Sequence, residues 1–279
     1  MRCIFQRNWH SSVRMEEQNL LTEVTYCGTD REACARFIVD TATLVIKEAA
    51  WEKYRTPGKK GWELMNLPQL IGVEAYLGSG GTIRQILAPL NDPYAYQLFA
   101  EGVRGIIQAE TFIFTERGHS SGDDYQKFWE KHYANSCRYF SYPERVTKGW
   151  FEHIGYNDRR GNLFNRVIAL ALYLKKDSYL LHGQFNDSFH SICVNLELEK
   201  EKPFIKRAAC DFLRVPDLVC EEAEAYMKDL EGKNLSGSKK KDIALMMGAG
   251  EGCVHLIDLV YDSLQTLELL SSSTAHDKG

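Results

Sequence analysis

The sequence contains no apolar run approaching the roughly 20 residues that a membrane-spanning helix needs. It has no excess of positive charge either. Its 34 lysines and arginines stand against 38 aspartates and glutamates, a formal net charge of −4. That balance supplies no electrostatic footing for nucleic acid or an anionic membrane surface. The one dense basic run, KKK at 239–241, reads as a solvated face. The N-terminal stretch MRCIFQRNWHSS is too polar for the apolar centre of a secretory signal. A cytoplasmic protein is therefore expected. In that compartment the eight cysteines (3, 27, 34, 137, 193, 210, 220 and 253) read as thiols or ligands, not as a disulfide framework. No CxxC pair occurs, which removes the common zinc-ribbon and thioredoxin signatures. HExxH and the Walker lysine motif are also missing. GSGG at 78–81 falls between helices and reads as a linker, not a dinucleotide fingerprint.

What is present begins with an internal repeat. IKEAAWEKYRTP (46–57) and IKRAACDFLRVP (205–216) share six of twelve positions: Ile, Lys, Ala, Ala, Arg and Pro. Upstream, NLLTEVTYCGTD (19–30) aligns with SYLLHGQFND (178–187), each a strand-like run ending in Asp. Downstream, the apolar-periodic segments 95–110 and 253–268 close the two halves as helices. The expected fold class is α+β: two diverged copies of an antiparallel sheet of three to four strands, each followed by about three helices. The copies are placed at 1–110 and 161–270.

In the second copy, strands are expected at 165–176, 178–186, 190–199 and 203–214, with KKDS as a hairpin turn. Pro216 ends the last of them, and helices follow at 217–230, 238–247 and 253–269. The segment 111–160, dense in aromatic residues, belongs to neither copy. It is read as a connecting segment with a helix at 122–136, capped by Ser121 and Asp124. Its aromatic surface is the candidate for a protein partner or self-association. The tail, 271–279, is expected to be disordered.

Chemistry-bearing residues concentrate in the second copy. Asp187 and His190 flank a turn between strands; Cys220 opens one helix; Cys253 and His255 open another. A turn and two helix N-termini can share one end of such a sandwich. A helix N-terminus also favours thiolate, the form that binds metal. Cys193 and Cys210, in strands, read as core thiols, and His182 as structural. In the first copy the counterparts of Cys253, Cys220 and His190 fall near Tyr96, Gly61 and Glu32 or Ala33. The candidate site is thus confined to the second copy.

GQFNDSFHSICVNLELE, RVPDLVCEEAEAYMKDLEGKNL and GEGCVHLIDLVYDSL together resemble an uncharacterised bacterial domain-of-unknown-function family, with its Asp-x-x-His, Pro-x-x-x-Cys and Gly-Cys-x-His-Leu motifs. The resemblance covers about 100 residues of the second copy and implies no activity. More distantly, the order of elements is similar to the iron–sulfur scaffold fold of the IscU and NifU N-terminal type. That likeness places Cys220 and Cys253 where two scaffold cysteines would stand, but the second copy has no cysteine in the first turn.

The leading expectation is a scaffold-like protein binding zinc, iron or an iron–sulfur species through Asp187, His190, Cys220, Cys253 and His255. A first alternative is an enzyme acting on a small organic acid or thioester, with Cys253 as nucleophile and His255 or His190 as base. A second is a protein–protein adaptor without chemistry.

Overall fold

A computed structural model describes residues 1–59, 61–155 and 158–276. The chain is mixed α+β, with antiparallel sheet and several helices. The strands are β1 (Arg2–Glu16), β2 (Asn19–Gly28), β3 (Glu32–Asp40), β4 (Ile46–Arg55), β5 (Glu63–Asn66), β6 (Asn162–Leu174), β7 (Ser178–Asp187), β8 (Ser191–Glu199) and β9 (Ile205–Arg214). The helices are α1 (Gly80–Leu87), α2 (Pro93–Ala109), α3 (Gly122–His132), α4 (Arg138–Ser141), α5 (Trp150–Ile154), α6 (Lys240–Met246) and α7 (Val254–His276). No helix among the described residues is long and apolar enough to cross a membrane. Residues 277–279, part of the expected tail, lie outside the described residues, and α7 runs on to His276.

The chain divides into two compact units. One comprises Asn8–Tyr125 and Asn157–Val167; the other comprises Met1–Arg7, Gln126–Tyr156 and Ile168–Gly279. The aromatic segment 111–160 is therefore not a body of its own, because its residues 126–156 group with β7–β9.

In the first unit β2, β3, β4 and β5 pair antiparallel in sequence order. In the second, β7, β8 and β9 do the same. The strands form because apolar residues alternate with polar ones, which gives each sheet one buried face. Ile192, Val194, Leu196 and Leu198 of β8 are all buried, while the residues between them are half-buried. The KKDS turn forms as expected, Lys175 N–H donating to Ser178 O at 2.9 Å.

Helices α2 and α7 each lie on two strands, β2 with β3 and β7 with β8 respectively. On α7 the residues Leu256, Ile257, Leu259, Val260, Ser263 and Leu264 are buried, the spacing of one helical face. Gly183 in β7 lets that face approach: a Cβ there would fall 2.8 Å from Ser263 Oγ and 3.1 Å from a Leu259 methyl.

The segment after Pro216 departs from expectation. Leu218–Leu230 is a 3-10 helix throughout, not an α-helix. Its buried residues are Val219, Cys220, Ala223, Met227 and Leu230.

The strands β2–β4 and β7–β9 correspond closely. β2 and β7 have ten residues each, β3 and β8 nine, β4 and β9 ten. Their starts, 19 and 178, 32 and 191, 46 and 205, are all separated by 159 positions. β3–β4 slips register at Glu32/Ala33 and Ile38/Val39; β8–β9 slips at Ser191/Ile192 and Glu197/Leu198. An isolated bridge follows each, Val45 to Glu74 and Phe204 to Asn234.

Candidate metal site

β7 ends at Asp187 and β8 begins at Ser191, so the chain reverses over Asp187–His190. The Asp187 amide donates to His190 O at 2.9 Å. Its carboxylate Oδ1 accepts from the amides of Phe189 at 2.8 Å and His190 at 2.6 Å, an Asx turn that satisfies the backbone locally. His190 Nδ1 lies 3.2 Å from the same oxygen. Arg214, the last residue of β9, donates Nη2 to the carbonyls of Asp187 and His190. The guanidinium thus ties both ends of the turn together.

His255 is the second residue of α7, which lies on β7. Its ring centroid is 4.2 Å from that of His190 and 4.9 Å from Phe185. One ligand atom each from Asp187, His190 and His255 lies within 4.8 Å of the others. Asp187 and His190 are buried and His255 is half-buried. On the other side of the turn, α5 brings His153 Nε2 to Phe189 O at 3.0 Å and Trp150 edge-on to the Phe189 ring at 4.7 Å. Burial holds His153 below the usual imidazole range, against the opposing effect of its carbonyl partner.

Two imidazoles and a carboxylate are a donor set for zinc or iron(II), which bind nitrogen and oxygen at about 2.0–2.2 Å. Three protein donors leave at least one coordination position for water or a substrate. Closing the three atoms onto an ion asks for movements on the order of 1 Å from the observed spacing.

Cys220 and Cys253 are not part of this group of three. Cys253 precedes α7, and its sulfur accepts from the Leu256 and His255 amides. Cys220 is buried with Tyr139 and Val219, and Cys137 packs against them. The expectation that helix N-termini would lower these thiols fails for a physical reason. Burial pushes the Cys253 thiol up to about 12, outweighing the two amides. Burial likewise raises Cys220, and the neighbouring Cys253 adds to the effect. Cys220, Cys253 and Cys137 lie near one another, and none is among the three grouped donors.

His182 is structural, its ring bonded to Asn195 Oδ1 at 2.9 Å and Gln184 Nε2 at 3.0 Å. Cys210 is a buried core thiol as expected. The sequence reading passed over Phe185, His153, Trp150 and Arg214. Of these only Arg214 carried a signal: it is the Arg common to the two twelve-residue segments. Its counterpart Arg55 makes the same clasp, Nη2 donating to Gly28 O at 2.6 Å and Arg31 O at 3.5 Å.

No curated protein and no solved structure matches the chain. Residues 173–268, the stretch that holds Asp187, His190, Cys220, Cys253 and His255, match the model of a family described as "Protein of unknown function (DUF2889)".

Proposed function

We propose that the unit built on β7–β9 binds a single divalent transition-metal ion, zinc or iron(II), through Asp187, His190 and His255. The observation that carries this reading is the meeting of three ligand atoms within 4.8 Å, from a turn and a helix N-terminus 65 residues apart in sequence (190 to 255). The clasp of Arg214 and the Asx turn supply the second layer of support that metal ligands need. A mononuclear ion is favoured over an iron–sulfur species, because the three grouped donors are two imidazoles and a carboxylate and include neither thiol. Burial disfavours Cys253 as a nucleophile. We further infer that β2–β4 and β7–β9, with the helices that follow them, are diverged copies of one unit, on the strength of their equal strand lengths, constant offset and matched register slips.

The test is a zinc or cobalt(II) titration of chelator-treated protein, followed by calorimetry and by the cobalt absorption spectrum. One ion per chain is expected. His190→Ala and His255→Ala should each abolish it, while Cys220→Ser with Cys253→Ser should leave it intact. Undiminished binding in either histidine variant, or none in the native chain, would refute the assignment.

A further inference from the structure

The place occupied by Asp187, His190 and His255 recurs in the unit built on β2–β5. The shift of 159 positions carries Phe185, Asp187, His190 and Arg214 onto Tyr26, Gly28, Arg31 and Arg55. The second residues of α7 and α2 pair His255 with Tyr94. Backbone geometry is the same: Gly28 N–H donates to Arg31 O at 2.9 Å, as Asp187 does to His190. Ring spacing is alike too. Tyr26 and Tyr94 lie 4.8 Å apart, against 4.9 Å for Phe185 and His255.

The side chains differ in kind. Gly28 offers no carboxylate, and a Cβ there would fall 2.5 Å from the Tyr26 hydroxyl, which fills that space. Asp30 supplies the carboxylate instead. It accepts from Tyr26 Oη at 3.0 Å, Tyr94 Oη at 3.3 Å and Arg31 Nε at 3.2 Å. Arg31 also pairs with Asp92 at 3.5 Å. Its guanidinium lies 4.1 Å over the Tyr94 ring, matching the 4.2 Å between His190 and His255. The side chains of Arg31, Asp30 and Asp92 are 22%, 13% and 12% exposed, so this charge cluster is largely withdrawn from water.

We infer that this second place is a cation site whose occupant is the chain's own guanidinium. The Arg31 guanidinium takes the place of the His190 ring and brings a positive charge into the site itself, held by two carboxylates and a ring face, the surroundings a cation selects. Its charge is permanent, so it excludes a divalent ion at every accessible pH. The chain therefore takes one ion, not two. This inference rests on the reading of Asp187, His190 and His255 as a metal site.

Zinc stoichiometry of the full chelator-treated chain tests it. The native chain should bind one ion. Arg31→His with Tyr94→His replaces the guanidinium by two imidazoles beside Asp30, and this folded variant should bind two. A second comparison covers misfolding of that pair. Arg31→Gln removes the charge between Asp30 and Asp92 and should admit a second, weaker ion, whereas Arg31→Lys keeps the charge and should not. A native chain that binds two ions, with the second lost on Asp30→Ala, overturns the inference. So does a folded double variant that stays at one ion, or identical stoichiometry for the Gln and Lys variants; both leave the Asp187 site standing. A native chain that binds none overturns the inference and the underlying metal reading together.

Discussion

Arg214 and Arg55 occupy the same position in their sheets and perform the same task, donating to both carbonyl ends of a strand-to-strand turn. Replacing Arg214 by Met keeps the aliphatic stem and removes the donors. The variant should lose about 1.5–3 kcal/mol of stability by urea unfolding, as for hydrogen bonds to a charged group. Its zinc affinity should fall about 10–100-fold by calorimetry, because the turn that aims Asp187 and His190 loosens. Asp217 is a second residue whose effect is local. Burial would raise its carboxyl, but the amides of Val219, Thr147 and Lys148 and the Thr147 hydroxyl outweigh this and hold it below its ordinary value. A depressed folded value means stability that is full above the unfolded carboxylate range, near 3.9, and lost as pH falls through the folded value. The drop in urea midpoint between pH 7 and pH 3 should therefore be smaller in Asp217→Asn than in the native protein. Asp187, His190 and His255 were legible as candidates because of residue type and position beside a turn or helix start. Cys220 and Cys253 looked equivalent in sequence, and it is position, not burial, that leaves them out of the group formed by Asp187, His190 and His255.

Elements were read well where apolar period and punctuation agreed. β7, β8 and β9 appear within two residues of their expected bounds, and α7 starts one residue after its expected start. The exception is Leu218–Leu230, a 3-10 helix where the apolar period reads as an α-helix. The seating of α7 on β7 depends on Gly183, and Gly183→Val should cost about 1–3 kcal/mol through overpacking against Ser263 and Leu259, measured by thermal or urea unfolding. In the other unit, Glu101 of α2 accepts from Arg166 at 2.9 Å, both side chains 4% exposed. Glu101→Ala leaves a buried guanidinium without this carboxylate and should destabilise by about 3–5 kcal/mol. Nothing in the sequence marked this pair, because its members are 65 positions apart.

Across the whole molecule the eight thiols sort by exposure. Cys3 and Cys27 are exposed, Cys137 and Cys193 half-buried, and Cys34, Cys210, Cys220 and Cys253 buried. Thiol titration of the native chain at neutral pH should therefore modify Cys3 and Cys27 first. The four buried thiols should respond only on unfolding, as mapped by mass spectrometry. Rapid, selective modification of Cys253 would contradict the assignment of that residue as a core thiol and revive the cysteine-enzyme alternative. Sequence showed 111–160 as a segment unlike either half, whereas contacts group 126–156 with β7–β9 and place His153 and Trp150 against the 187–190 turn.

Alternation, turn residues and the repeated twelve-residue segment determined by themselves that the chain is α+β, where most strands of the second half run, and which few residues are candidates for a site. These are local properties, set by period and residue type. The tertiary structure decided which candidates meet. Distance between side chains and withdrawal from water depend on how α7 and the 3-10 helix seat on the strands, and neither is written in spacing along the chain. That seating brings His255 to His190, withdraws Cys220 and Cys253 from water, and puts Arg31 over Tyr94 in the corresponding place beside β2.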